Sequence, residues 1–192
     1  MATLTGTRTE KNLLAAFAGE SQARNRYTYA SGIARKAGYM QIAQLFLETA
    51  DNEKEHAKRF FGLLQGGTVE VTASFPAGDL HGDTAAQLLA AANGEHEEWT
   101  ALYPEFARVA KEEGFPEVAL VFTLIARVEK EHEARFRTLL ENVNTDHVFK
   151  KDDVVRWKCG NCGFVHEGKE APAKCPACQH DRGYFEVKES NY

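Results

Sequence analysis

The chain is short of several features that would assign it to common classes of protein. Its 23 Lys and Arg residues are outnumbered by 28 Asp and Glu residues, so the net charge is −5. This deficit argues against nucleic acid as a partner, because phosphate binding needs a basic surface. No apolar run approaches the roughly 20 residues that span a bilayer, and the first six residues do not resemble a signal peptide. We therefore expect a soluble, cytoplasmic protein that binds neither membrane nor nucleic acid.

Cysteine is missing from the first 158 of the 192 residues and then occurs four times between 159 and 178. Residues 151–192 are charge-balanced, which leaves the whole net charge on residues 1–150. We predict a first domain at 1–146, a linker at 147–156 and a second domain at 157–192. A domain of about 40 residues usually needs a metal or disulfides to fold.

The first domain has the apolar periodicity of four helices. The predicted helices cover approximately residues 9–36, 39–65, 84–113 and 117–142, and Pro104 should kink or split the third one. The first and last connections are short and the middle one is long. This pattern predicts two antiparallel helical hairpins joined by a crossover, which is a four-helix bundle.

The two predicted hairpins resemble each other in sequence. Glu53-Lys-Glu-His56 recurs as Glu129-Lys-Glu-His132 at an offset of 76 residues. Gly19-Glu20 recurs as Gly94-Glu95 at an offset of 75, and Tyr27 recurs as Tyr103 at 76. Duplication of one hairpin explains these matches and would place equivalent residues around a pseudo-twofold axis.

Each apolar stripe of the bundle carries a glutamate at mid-length. In the fourth helix, for example, Glu129 and His132 lie in step between Ile125 and Phe136. An unpaired buried carboxylate costs several kcal/mol, and a pair of metal ions would remove that cost. A Glu on each of two helices plus Glu-x-x-His on the other two is the ligand pattern of ferritin-like di-iron proteins. The candidate ligands are Glu20, Glu53, His56, Glu95, Glu98, Glu129 and His132.

A second interpretation of the same residues is a solvated helix face, since Glu-Lys-Glu-His is rich in charge. The repetition on four apolar stripes favours the metal site. Nearby charged residues fall off the stripes, and we expect them to be solvated: Glu55, His96, Glu97, Glu131 and Glu133.

The cysteines form two Cys-x-x-Cys pairs, Cys159/Cys162 and Cys175/Cys178. In a cytosolic chain this pattern indicates a metal site in preference to disulfides. Four thiolates suit tetrahedral zinc or iron, and the spacing does not choose between them.

Taken together, the motifs resemble the rubrerythrin family over essentially the whole chain. The resemblance implies a mainly α protein, with a ferritin-like four-helix bundle followed by a small rubredoxin-like β/loop metal domain. The segments that carry it are Gly19-Glu20-Ser-Gln-Ala-Arg-Asn-Arg-Tyr27, Glu53-Lys-Glu-His56, Gly94-Glu95-His-Glu-Glu98, Tyr103-Pro104, Glu129-Lys-Glu-His132, 157–168 and 171–178.

The resemblance also implies three iron ions per chain, two in the bundle and one on Cys159, Cys162, Cys175 and Cys178. Glu53 and Glu129 match the carboxylates that bridge the pair. Terminal ligands match Glu20, Glu95, Glu98 and His132, while His56 matches a ligand that exchanges with a carboxylate as the iron changes oxidation state. Tyr27 and Tyr103 match tyrosines that hydrogen-bond ligand carboxylates, although aromatic core residues would look the same in sequence.

The activity that the resemblance implies is a non-haem di-iron peroxidase for oxidative stress defence. It would reduce hydrogen peroxide to water with electrons from NAD(P)H, delivered by a reductase or a rubredoxin through the four-cysteine iron. The family arrangement is a head-to-tail homodimer. Two alternatives stay open: a ferroxidase or iron-handling ferritin-like protein, and a non-catalytic metal protein with a structural zinc ribbon.

Overall fold

The computed structural model describes residues 3–78 and 80–190. The first hairpin consists of α1 (Arg8–Lys36) and α2 (Met40–Phe61). The second consists of α3 (Thr84–Glu97), a π-helix (Glu98–Leu102), α4 (Tyr103–Glu112) and α5 (Pro116–Asn144). Because α3, the π-helix and α4 follow one another without a break, they form the third helix of a four-helix bundle. The predicted bundle is thereby confirmed, and the long crossover at 62–83 joins its two hairpins.

Both hairpins turn in the same way. Gly38 and Gly114 follow the ends of α1 and α4 at positive φ angles of 85° and 86°, where a side chain would be strained. In each turn the next residue bonds back into the helix: Tyr39 N donates to Ala34 O, and Phe115 N donates to Ala110 O. The equivalence of the two turns supports the duplication that the sequence indicates.

The predicted interruption of the third helix takes the form of the π-helix directly before Pro104. The Tyr103 N–H donates to Glu98 O, five residues back, so the turn holds one residue more than an α-helical turn. From Leu88, Glu95 and Glu98, regular α-helical spacing predicts that the apolar stripe of the third helix continues through Leu102, and this prediction is wrong. The extra residue rotates the helix, so that Leu102 is 36% exposed whereas Tyr103 is buried.

The bundle core is divided into two apolar clusters with a polar layer between them. One cluster contains Leu13, Phe60, Tyr103 and Phe122. The other contains Tyr27, Ile42, Phe46, Leu88 and Phe136. The two tyrosines therefore approach the polar layer from opposite sides.

The C-terminal domain is a three-stranded antiparallel sheet in the order β2-β1-β3, formed by β1 (Lys150–Cys159), β2 (Val165–Glu170) and β3 (Phe185–Val187). Residues 150–156 of the predicted linker belong to β1. Trp157 is fully buried in the small core, and its Nε1 donates to Gly168 O at 3.0 Å.

This domain packs on the bundle at the turn between α1 and α2. The rings of Tyr39 and Phe149 stack with centroids 5.9 Å apart. Gly183 lies so close to Gly38 that a Cβ would stand 2.2 Å from the Gly38 carbonyl oxygen, so only glycine fits there. The contact places the cysteines at one end of the bundle.

Candidate metal centres

Six of the seven predicted ligands converge in the polar layer of the bundle. They form two overlapping groups in which ligand atoms lie within 4.8 Å of one another: Glu20, Glu53, His56 and Glu129 form one, and Glu53, Glu95, Glu129 and His132 form the other. Each helix of the bundle contributes, α1 and α3 with one Glu each and α2 and α5 with Glu-x-x-His. Glu53 and Glu129 belong to both groups, so the layer offers two adjacent metal positions.

Each shared carboxylate presents one oxygen to each histidine. His56 Nδ1 lies 2.9 Å from Glu53 Oε2 and 2.9 Å from Glu129 Oε1. His132 Nδ1 lies 3.2 Å from Glu53 Oε1 and 2.8 Å from Glu129 Oε2. The two imidazoles are nearly parallel, with centroids 5.9 Å apart. Glu53 and Glu129 thus each reach both histidines, and together they would be able to bridge two metal positions.

The two tyrosines hold the glutamates that are not shared. The Tyr27 hydroxyl donates to Glu95 Oε1 at 2.5 Å, and the Tyr103 hydroxyl donates to Glu20 Oε1. Each tyrosine thus reaches across the pseudo-twofold axis to the glutamate of the other hairpin. Burial raises the pKa of both phenols, and neighbouring carboxylates raise it further, so the hydroxyls keep the protons that they donate.

Several buried ligand atoms of the polar layer make no hydrogen bond of acceptable geometry, although some of them lie close to an imidazole nitrogen. The buried atoms without a hydrogen-bond partner among the described residues include Glu20 Oε2, Glu53 Oε1, Glu95 Oε2, both oxygens of Glu129 and His132 Nδ1. Leaving such atoms unpaired is costly. The carboxylate and imidazole donor set suits iron and related divalent metals, so the residues present fit a di-metal centre.

The pKa shifts of the charged groups in this layer also fit a di-metal centre. Burial raises the pKa of Glu20 and Glu95 well above the usual value, and the charges of Glu53 and Glu129 raise it further. Burial lowers the pKa of the two histidines, but Glu129 and Glu53 outweigh it and bring His56 to about 10 and His132 to about 9. The protein alone therefore holds protons at these ligands, and a metal must displace them.

Glu98, the seventh candidate, belongs to neither group and remains a prediction as a ligand. It is half-buried in the π-helix. It lies one turn after Glu95, on the same side of the third helix. Burial raises its pKa, and the charges of Glu129 and Glu53 raise it further. Together with Tyr103 it lines a cavity of about 890 Å³ between α1 and the crossover, whose wall also includes Gln22, Arg26 and Phe75.

The prediction that Glu133 is solvated is wrong. It is 8% exposed and accepts hydrogen bonds from Trp99 Nε1 at 2.5 Å, His96 Nδ1 at 3.0 Å and Arg137 Nε at 2.6 Å. In the sequence, Glu133 ends a charged Glu-Lys-Glu-His-Glu run and cannot be distinguished from solvated residues there. Trp99, three residues after His96, is the signal in the sequence, because a buried indole N–H needs a hydrogen-bond acceptor.

The four cysteines converge in the small domain. Their sulfurs all lie within 4.8 Å of one another, with Cys159 and Cys178 at 3.8 Å and Cys162 and Cys175 at 3.6 Å. A tetrahedral ion with bonds of about 2.3 Å separates its sulfurs by about 3.8 Å, whereas a disulfide needs about 2.05 Å. The backbone N–H of His180 lowers the pKa of Cys178 to about 6, which favours the thiolate. The site therefore fits a tetrathiolate metal ion.

Comparison with known proteins agrees with the two domains. The rubrerythrin family model matches residues 11–146, and the model described as "Rubrerythrin, rubredoxin-like domain" matches residues 157–186. Rubrerythrin of Porphyromonas gingivalis is 58% identical over 97% of this chain and 93% of its own length. Rubrerythrin of Clostridium perfringens is 57% identical over the full length of both chains.

Among solved structures, fully reduced nigerythrin superposes with a TM-score of 0.64 at 33% identity, covering 97% of this chain and 89% of its own. Bacterioferritin of Desulfovibrio desulfuricans has a TM-score of 0.64 at 19% identity, covering 73% of this chain and 82% of its own. The second likeness shows the fold alone.

Fold and sites together define a ferritin-like di-iron protein with a rubredoxin-like four-cysteine iron domain. The chain belongs to the rubrerythrin family. In the described part of the chain, none of the helices has the length and apolar character needed to cross a membrane.

Proposed function

We propose that the protein is a peroxidase that reduces hydrogen peroxide to two water molecules with two electrons and two protons. The observation that carries this proposal is the pair of metal positions that share Glu53 and Glu129. Two adjacent irons would supply the two electrons and the Lewis acidity for cleavage of the O–O bond. We propose all seven candidates, Glu98 included, as ligands of this pair.

The chain's own residues would fix the geometry of this chemistry. Glu53 and Glu129 set the separation of the two positions, while Tyr27 and Tyr103 hold Glu95 and Glu20 in orientation. The cavity that Glu98 and Tyr103 line would admit a small polar substrate to the side of the third helix that carries Glu98. The apolar clusters on both sides keep bulk water away.

The four-cysteine iron would return electrons to the bundle, and geometry argues that it does so between chains. The small domain docks beside Gly38, 18 residues along α1 from Glu20, which is about 27 Å at 1.5 Å per residue. Electron transfer falls steeply with distance, so we propose a head-to-tail homodimer in which each cysteine site serves the partner's di-iron pair.

The electron source would be NAD(P)H through a separate reductase or a rubredoxin. Four unpaired thiols within one small domain suit the reducing cytoplasm, which we propose as the location. A ferroxidase or iron-handling role is the second candidate, favoured by the ligand set that it shares with ferritin-like proteins. Iron storage does not require an electron relay at the four-cysteine site, whereas the peroxidase does. The need for this site in turnover therefore distinguishes the two functions.

The experiment is a comparison of wild type with Cys162→Ser. With an external reductase and NAD(P)H, wild type should consume peroxide over many turnovers. The variant should lose this turnover, yet consume one equivalent per di-iron site after chemical reduction. Continued multiple turnover in the variant would contradict the relay. A wild-type protein that oxidises Fe²⁺ and ignores peroxide would favour the ferroxidase.

A further inference from the structure

Glu133 is a buried carboxylate that the ligand set does not use. Both its oxygens are taken up by donors from two helices: Trp99 Nε1 and His96 Nδ1 reach it from the third helix, and Arg137 Nε reaches it from α5. Lys130 lies 5.3 Å above the Trp99 ring and covers it from outside. Because hydrogen bonds to an ionised acceptor are the strong ones, this network ties the third helix firmly to α5.

The network is attached directly to the residues that face the metal pair. Trp99 follows Glu98, His96 follows Glu95, and Glu133 follows His132. Trp99 also lies inside the π-helix, in the turn that Tyr103 N–H closes onto Glu98 O. The carboxylate of Glu133 therefore holds the irregular turn through Trp99, while Glu98 lies one turn after Glu95, on the side of the helix that carries this ligand.

The first hairpin has no such device. At the same offset of 76, the counterpart of Glu133 is Ala57, and the counterpart of Glu98 at 75 is Ala23. There α1 runs as an unbroken α-helix from Arg8 to Lys36. A Glu and a Glu-x-x-His can thus be positioned without the network, and the network coincides with the one additional carboxylate.

We propose that Glu133 is a positioning residue that, by binding Trp99 and His96, stabilises the π-helical turn and aims Glu98 at the metal pair. This proposal rests on the proposed di-iron function. It extends that function, because Glu133 would influence the potential and the oxidation rate of the di-iron pair without touching either metal position.

The test uses the iron-loaded protein and two readouts, the midpoint potential of the di-iron pair and the rate of its oxidation by peroxide. The variants are Glu133→Gln, Trp99→Phe, Glu98→Gln and the double variant Glu98→Gln/Glu133→Gln. Glu131→Gln is the matched control, since it makes the same change at an exposed position of the same helix. Thermal unfolding of the metal-free protein reports on stability separately.

We expect the three single variants to raise the potential, because a carboxylate that no longer faces the irons stabilises their oxidised state less. The rate should fall about tenfold, as is common when outer partners of a metal site are removed. The double variant should match Glu98→Gln alone, since Glu133 acts through Glu98. The control should match wild type in both readouts.

Two results would overturn the proposal. A Glu133→Gln variant with a lower melting temperature but wild-type potential and rate would make Glu133 a structural brace only. Additive shifts in the double variant would mean that its charge acts on the irons directly. Trp99→Phe removes an N–H without changing charge and carries the test alone if Glu133→Gln fails to fold. Absence of peroxide oxidation in wild type would refute the proposed function, and the potentials would still decide the role of Glu133.

Discussion

The two helical hairpins present the same set of three ligands in different settings. Glu20 with Glu53 and His56 in the first half corresponds to Glu95 with Glu129 and His132 in the second. Among the residues that the structure describes, only the second half contains a π-helix, together with a half-buried Glu98 and a buried Glu133. Both halves therefore keep the residues that can hold a metal ion. They differ in the π-helix and in the two additional carboxylates of the second half.

The π-helix of the second half affects the structure only locally. A π-turn is rarer and less regular than an α-turn, and here it is stabilised by the strong bonds of Glu133. The first half instead keeps the small residues Ala23 and Ala57, both buried, which pack without polar partners. One copy of the repeated site therefore holds one residue more than the other, and the two halves differ at this turn.

The largest expected effect is a difference in the number of bound metal ions between variants of a shared and of an unshared carboxylate. Glu53→Gln should bind neither of the two bundle ions, because Glu53 contributes to both groups, whereas Glu20→Gln should retain one. Metal analysis after dialysis against Mn²⁺, which prefers carboxylate and imidazole to thiolate, measures the stoichiometry. Glu55→Gln, at an exposed position of α2, is the control. Equal loss in the two buried variants would contradict the shared role.

The next effect tests how symmetric the two tyrosines are. Tyr27→Phe and Tyr103→Phe each leave one buried glutamate oxygen without its donor. Each should weaken Mn²⁺ binding about tenfold. Electron paramagnetic resonance of the free ion gives the affinity. A much larger effect of one tyrosine would show that the halves differ in their supporting shell as well.

Much of this arrangement was predictable because it depends on local periodicity. Apolar spacing predicts the four helices, and two copies of Glu-x-x-His on buried stripes indicate the ligands. The π-helix was missed, although the offset between the copies changes from 75 at Glu20/Glu95 to 76 at Tyr27/Tyr103. One inserted residue within a helix is what a π-turn requires.

Other features depend on contacts between distant segments. The burial of Glu133 results from Trp99 and His96, which lie 34 and 37 residues away. The docking of Gly183 on Gly38 joins the two domains across most of the chain. No local pattern specifies such contacts, because they arise only when the helices pack.

A smaller effect tests the equivalence of the two hairpin turns. Gly38→Ala and Gly114→Ala each place a side chain at a positive φ angle, which costs about 1–2 kcal/mol. Urea unfolding of both variants should give similar losses, since a Cβ at either position meets no neighbouring atom. Clearly unequal losses would indicate that the turns carry different strain.

The smallest effect belongs to Glu113, whose counterpart in the first half is Ala37. Its carboxylate accepts from the Thr9 side chain and from the Thr9 and Arg8 backbone N–H groups, and these bonds lower its pKa to about 2. A lowered pKa stabilises the fold above the unfolded value near 4.5, and this contribution is lost as pH falls towards 2. Glu113→Gln should therefore be less stable than wild type at pH 7.

The difference between Glu113→Gln and wild type should shrink steadily below pH 4.5 in the same unfolding assay. Glu117→Gln, exposed at the start of α5, is the control for loss of a surface charge. A stability difference that did not change with pH would show that the carboxylate's charge is not what matters.

The measurement that tests the central claim most directly is a visible spectrum of the iron-loaded protein, reduced without air and then given one equivalent of hydrogen peroxide. The claim is that a di-iron pair and a four-cysteine iron work together. A red chromophore that bleaches on reduction and returns promptly with peroxide is the predicted result. A colourless protein, or a colour that returns only slowly, would contradict it.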